Sequence, residues 1–403
     1  MEERSLPADT PATDKTARTY DVVVLGATGF TGELTAAYLA EHAPAGLRWA
    51  LAGRNQGKLE QVRARLAKLD PALGGLPLLH ADSSDDESLR ALAGSTRVVV
   101  TTVGPYLQYG EPLVAACAES GTDYVDLTGE PEFVDRMYLA HHDRAVRSGA
   151  RIVHACGFDS IPHDLGAFFT VQQLGPEAPI RLRGVVRSNA QFSGGTFHSA
   201  VGAMSRAVQM REAMVARRRK EGRPVGRASR AVAGKPHRDS LLGYWLLPLP
   251  TIDPFIVARS GAGLESYGPD FRYSHYVGMK TLRNAVAGAA AVSGLVAAVQ
   301  VPPVRNFLKN RIKQGQGPSK KRRDSSWFTV DFIGESAGET IHTRVSGGDP
   351  GYTETAKMLA ESAMCLALDD NPESSGQVTT AVAMGENLLA RLQKAGMRFE
   401  TLA

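Results

Sequence analysis

The chain has 403 residues, 43% of them hydrophobic and 22% charged, with a formal net charge of +4. That length exceeds one ordinary domain, and the composition is globular rather than low-complexity. The charge is too small to argue for a nucleic-acid partner, and three scattered cysteines with no C-x-x-C pair argue against a disulfide framework and for a reducing, cytoplasmic compartment.

Met1 to Arg18 mixes acids, bases, Pro and Thr without an apolar core, which predicts a disordered tail rather than a secretory signal. Val22 to Leu25 then forms an apolar run suited to a buried strand, followed by Gly26, Gly29 and Gly32 and a helical stretch from Glu33. Strand, glycine turn and helix together predict the phosphate corner of a dinucleotide fold. Gly26 allows the turn, Gly29 lets a pyrophosphate approach the backbone, and Gly32 lets the helix pack against the strand. The helix N-terminus offers free N–H groups to the phosphates.

The second strand, Arg48 to Gly53, ends in Arg54-Asn55 with Lys58 a turn later, where an NAD-binding strand usually ends in an acid. A guanidinium there can fork onto a 2′-phosphate, so the cofactor reads as NADP(H), with Arg54 as its main determinant. Further strands are expected over Leu76–Ala81, Thr96–Val103, Asp123–Leu127 and Ala150–Ala155, alternating with helices. Asp82, at the end of the third, is placed either to touch the adenine or, with Ser83, to cap the next helix. Tyr106 and Tyr109 follow the fourth, where a loop passes the nicotinamide; each reads equally as a half-buried loop tyrosine. His141 and His142 lie mid-helix without a partner at metal spacing, and no metal is expected.

Cys156-Gly-Phe-Asp-Ser-Ile-Pro-His-Asp164 crowds reactive side chains at a strand's carboxyl end. A helix entry explains Ser160 as N-cap, Pro162 in the first turn and Asp164 as a dipole partner. It explains Asp159 and His163 less well, and these are candidates for handling a proton. Beyond them come a strand over Arg181–Asn189, a long helix over Thr196–Lys220 entered through Ser193-Gly194-Gly195, and a half-buried strand over Phe271–Val277. Asn284 to Val304 carries no charge, long enough to span a bilayer but rich in Ala and Gly. Lys280 and Arg283 precede it, and Arg305 to Arg323 is basic. The leading expectation is a buried or substrate-lining helix; a helix lying on a lipid surface is second and a full span third. Ser326–Gly334 and Glu339–Val345 predict a hairpin, and helices over Thr353–Leu368 and Val378–Leu392 close the chain.

The motifs Gly26-Ala-Thr-Gly-Phe-Thr-Gly32, Ala52-Gly-Arg54, Val103-Gly-Pro-Tyr106 and Cys156-Gly-Phe-Asp-Ser-Ile-Pro162, in this order, resemble the saccharopine dehydrogenase-like oxidoreductases, and within them the actinobacterial trans-acting enoyl reductases. The resemblance implies an α/β chain: a doubly wound Rossmann domain at 19–156, an α+β substrate domain at 157–350, and C-terminal helices at 351–403 with the option of packing back on the first domain. It implies cofactor contacts at Thr28, Phe30, Thr31 and Gly104 beside Gly26, Gly29, Gly32, Arg54, Asn55, Lys58 and Asp82. It also implies NADPH-dependent reduction of a double bond on a chain carried by a polyketide synthase, with Tyr106, Tyr109 or His163 polarising the thioester or giving a proton, and a peripheral contact with lipid. An imine-reducing, saccharopine-type activity and a cofactor-binding scaffold without turnover are the alternatives. The pair Tyr276 and Lys280 has the spacing of a short-chain dehydrogenase but lies far beyond the sheet that such chemistry needs.

Overall fold

The structure, a computed structural model, describes residues 15–190, 201–202, 205–222, 224–301, 303–304, 307 and 317–402. Its first sheet is built by strands β1 (Tyr20–Leu25), β2 (Trp49–Gly53), β3 (Leu78–His80), β4 (Thr96–Thr101), β5 (Asp123–Val125) and β6 (Arg151–Val153). Between them run helices α1 (Phe30–His42), α2 (Gln56–Leu66), α3 (Asp86–Ser95), α4 (Tyr106–Tyr109), α5 (Glu111–Ser120) and α6 (Pro131–Ser148). All strand pairs in this sheet are parallel. The consecutive valines of β1 and β4 follow from that: a parallel strand covered by helices on both faces has no polar side. Val22, Val24, Val98 and Val100 point into one buried cluster, and Val23 and Val99 into the other. Each such side chain contributes about 1.5–3 kcal/mol by leaving water.

The second half comprises α7 (Ile161–Val171), β7 (Ile180–Ser188), α8 (Ala207–Lys220), β8 (Ala228–Ala231), β9 (His237–Arg238), β10 (Trp245–Pro248), α9 (Asp253–Gly263), β11 (Asp270–Met279), α10 (Leu282–Val299) and α11 (Lys320–Asp324). It continues through β12 (Phe328–Ser336), β13 (Glu339–Gly347), α12 (Thr353–Leu368), β14 (Gly376–Val378), α13 (Thr380–Lys394) and β15 (Arg398–Thr401). A mixed sheet runs in the order β15-β13-β12-β7-β11-β10-β9, with β8 also on β11. The expected hairpin is β12–β13, longer than the sequence indicates, and it turns on Ala337 and Gly338, both with positive φ, the geometry that suits a tight hairpin. The Ser193-Gly194-Gly195 entry to the long helix lies outside the described residues.

The C-terminal segment returns to the first sheet. β14 pairs in parallel with β6 and makes the seventh strand; the His142 Nδ1 accepts from the Gln377 N–H at 3.0 Å and holds its edge. α12, almost wholly buried, covers the sheet face beside α1.

Two expectations are corrected. Residues 15–18 are not part of a disordered tail: Lys15 Nζ reaches the buried Asp123 carboxylate at 2.6 Å and the Gly149 carbonyl at 3.0 Å, and Arg18 donates to the Ser120 carbonyl at 2.6 Å. A buried carboxylate at a strand start recruits these cations. The apolar stretch near 284–304 is not buried. Of α10, only Ala285 and Val299 are buried, while Leu282, Val286 and Val292 are 48–61% exposed. Its Ala and Gly side chains are too small to fill a core, and it rests along β10 and β11.

Candidate functional site

The phosphate corner has the shape that a dinucleotide needs. Gly26 sits at φ 89°, and a Cβ there would lie 2.8 Å from Thr102 Oγ1. A Cβ on Gly32 would lie 2.2 Å from the Gly26 carbonyl oxygen, so the helix abuts the turn. Thr102 Oγ1 donates to that carbonyl at 3.1 Å and locks it. Gly29 is the N-cap of α1 and brings no side chain, leaving the first-turn N–H groups free for an anion. Thr28 is exposed beside it and Thr31 is half-buried. The Phe30 ring meets Tyr352 edge-on, with centroids 4.9 Å apart.

Arg54 is exposed where β2 turns into α2, as a 2′-phosphate partner must be, and Lys58 is exposed on the first turn. The Asn55 side chain accepts from the Lys58 N–H at 2.9 Å, which fixes that helix start. Asp82 does not cap α3; Asp85 does. The Asp82 carboxylate accepts from the Ser84 N–H and hydroxyl at 3.0 and 2.8 Å. Those two bonds, with the Arg54 charge nearby, hold it below the usual carboxylate range.

After β4, Gly104 is exposed and Tyr109 is 46% exposed. Tyr106 turns inward. Its hydroxyl donates to the Thr101 carbonyl at 3.2 Å and accepts from the Leu127 N–H at 3.1 Å, tying the ends of β4 and β5. Burial pushes its pKa well above the ordinary value, so the hydroxyl is committed to the fold. Tyr276 lies in β11 of the second sheet, away from this corner.

The densest chemistry lies where β6 runs into α7. Ser160 occupies the N-cap position at φ 139° without capping; its hydroxyl donates to Asp253 Oδ1 at 3.1 Å. His163 Nδ1 stands 3.1 Å from the same oxygen, and His275 Nε2 stands 3.6 Å from Asp253 Oδ2. Thr251 also bonds that carboxylate. The Tyr273 hydroxyl meets His275 Nδ1 at 3.0 Å, and the rings of His163 and His275 are 4.9 Å apart. Burial alone would raise the Asp253 carboxyl; the His163 charge and hydrogen bond override it and hold it well below the usual range. Burial, helped by His163, pushes His275 down to about 3. Donor atoms of His163, Asp253 and His275 lie within 4.8 Å of one another, a spacing that a divalent cation could bridge. Two hydroxyls and two imidazoles already surround the carboxylate, so the cluster can also handle protons by itself.

Asp159 is the least buried part of this cluster. It is partly exposed, and its Oδ2 lies 3.1 Å from where a Cβ on Gly129 would stand, just past the end of β5. Burial pushes its carboxyl up to about 7, with the Asp253 charge adding and His163 opposing. Asp164 lies in the first turn of α7, as a dipole partner should, and also accepts from Thr380 Oγ1 at 2.6 Å and the Ala381 N–H at 2.9 Å. It therefore caps α13 from a distance. Asp253 and His275 carry no signal in the sequence: the Asp-Pro pair reads as a helix start, and the histidine as one polar position of an alternating strand.

Comparison with known proteins shows the family and the fold. The profile of the saccharopine dehydrogenase NADP binding domain matches residues 22–153. A putative trans-acting enoyl reductase of Mycobacterium tuberculosis is 38% identical, covering 96% of this chain and 98% of its own. A trans-acting enoyl reductase of Mycobacterium leprae is 37% identical over 94% of this chain and 97% of its own. Among solved structures, the apo saccharopine dehydrogenase (L-Glu forming) of Saccharomyces cerevisiae aligns with TM-score 0.54 at 12% identity, over 95% of this chain and 100% of that one. At that identity it shows a shared fold.

Proposed function

The chain belongs to the trans-acting enoyl reductases of the saccharopine dehydrogenase-like family, and on that premise we propose that it saturates a carbon–carbon double bond of an acyl chain carried by a polyketide synthase. Gly26, Gly29, Gly32 and Arg54 would hold NADPH against α1, where it would supply a hydride for the β-carbon. The π electrons then move toward the thioester carbonyl, and the α-carbon takes a proton. In this reading Asp159 gives it. The observation that carries the reading is this carboxyl, raised to about 7 and half-buried beside Gly129 at the carboxyl ends of β5 and β6, where open α/β sheets bind ligands. His163, Asp253 and His275 stand behind it and fix the charge that it faces. Asp159 recovers its proton from water.

The test uses NADPH deuterated at the transferred position and an enoyl chain on its carrier. Label at the β-carbon and solvent hydrogen at the α-carbon are the expected result. Cofactor binding with no reduction of carrier-bound enoyl chains would leave a binding scaffold instead, and reduction of an imine substrate would favour the saccharopine-type alternative.

The exposure of α10 supports a second element, a peripheral contact with lipid. Its apolar residues face outward, and Lys280, Arg283, Lys320 and Lys321 lie in the chain on either side. Such a helix suits an anionic surface. Vesicles of mixed anionic and neutral lipid should sediment the protein, and Val286→Glu with Val292→Glu should release it without lowering its melting temperature. Equal sedimentation of the double variant would remove this element.

A further inference from the structure

We propose that Arg323, from the segment between α10 and β12, belongs to the dinucleotide site and pairs with the cofactor's pyrophosphate. Residues 317–324 precede a strand of the second sheet, yet Gly317 and Arg323 contact Phe30, the first residue of α1. A Cβ on Gly317 would fall 2.2 Å from Phe30 Cε1, so this glycine lies directly on the ring. The Arg323 guanidinium carbon stands 5.4 Å from the centre of the same ring, within the range of a cation–π contact.

Two of the neighbouring cations are already engaged. Lys320 pairs with Asp324 at 2.7 Å, and Arg322 donates to the Asn189 carbonyl at 3.0 Å. Arg323 donates through Nη1 to the Pro318 carbonyl at 2.9 Å. Its Nε is buried without a hydrogen-bond partner, and it makes no ion pair among the described residues. A buried guanidinium N–H left unmatched is costly, and an acceptor of negative charge is the natural remedy.

That acceptor belongs at the N-terminus of α1. Phe30 is the residue immediately after the Gly29 N-cap, so a guanidinium with an unmatched Nε lies on the ring of the first residue of α1, the helix whose N-terminus suits a diphosphate. The free N–H groups of the first turn and the helix dipole offset only part of two negative charges. A planar guanidinium supplies a full charge and a forked donor set that fits phosphate oxygens. The inference rests on the NADP site and is independent of which double bond is reduced.

The experiment measures NADPH binding by fluorescence in the full chain, with Arg323→Ala, Arg323→Lys and Arg322→Ala. It also measures 2′-AMP, which carries the adenosine and the 2′-phosphate but no pyrophosphate. Loss of a charge-assisted pair should weaken NADPH about ten- to hundredfold in Arg323→Ala. Arg323→Lys should fall in between, and Arg322→Ala should match the parent. Binding of 2′-AMP should stay within about twofold throughout, a change of less than half a kcal/mol. Unchanged NADPH binding in Arg323→Ala would overturn the assignment. So would equal losses for NADPH and 2′-AMP, which would place the effect at the adenosine end or in the fold. If Arg323→Ala does not fold, the same two ligands read against Arg323→Lys decide the matter.

Discussion

His163 Nδ1 stands 3.1 Å from Asp253 Oδ1, joining the helix that leaves the first sheet to the helix that leads into strand β11. This contact sets the charge against which Asp159 holds its proton, and it turns a crowded sequence motif into a defined site.

Asp159 should therefore set a pH limit. Its folded pKa of about 7 lies above the ordinary 3.8, so a proton donor at this position is lost as pH rises through 7. Turnover at saturating substrate should fall on that side, and Asp159→Asn should be slow with no such inflection. The stability effect has a definite sign. The folded state binds more protons than the unfolded chain between about 4 and 7, so this group's contribution falls across that window as pH rises. Asp159→Asn should melt higher than the parent at pH 8, with the gap closing toward pH 4. A parent and variant with parallel melting curves at every pH would contradict the shift.

Arg54→Ala should weaken NADPH by about ten- to hundredfold, the value of one charge-assisted pair, and leave NADH binding nearly unchanged. Arg54→Asp should invert the preference. Isothermal titration with both nucleotides checks it; equal losses for the two would move the 2′-phosphate contact elsewhere.

Gly32→Ala places a methyl 2.2 Å from the Gly26 carbonyl oxygen, a backbone atom with no room to yield. Overpacking of this kind costs about 1–3 kcal/mol, and here it also pushes α1 away from the turn. Urea unfolding should show the stability loss, and NADPH binding should fall further than stability alone explains.

Asp164→Ala removes a buried carboxylate that accepts from Thr380 Oγ1 and the Ala381 N–H and also bonds Ser260. Leaving buried donors unmatched costs about 1–3 kcal/mol each, so the variant should lose several kcal/mol. Asp164→Asn should recover part of it. Denaturant midpoints of the three proteins give the comparison.

The glycine corner was legible in the sequence because it is local. Val22 to Leu25, Gly26, Gly29 and Gly32 fix strand, turn and helix within a few residues of one another, and Arg54 follows at the next strand end. The Asp253–His275 half of the cluster was not, because Ser160 and Asp253 are 93 residues apart and no local pattern records a contact across that distance. Tyr106 had the right address, but its inward rotamer depends on Thr101 and Leu127, which a linear reading does not bring together. For α10 the sequence shows an apolar helix, yet whether neighbours cover it is decided by the sheet beneath. Strand β14 has only three residues, Gly376 to Val378, too short for any alternation to show.

The pairing of Arg151 with Gly376 has a consequence for biosynthesis. During translation the nucleotide-binding sheet stays open at one edge while strands β7 to β13 are still being made. Its last strand, and the α12 helix that covers one face, emerge only after β13. Until then the nascent protein exposes the edge of β6 and an uncovered valine face, the surfaces on which a ribosome-associated chaperone would act.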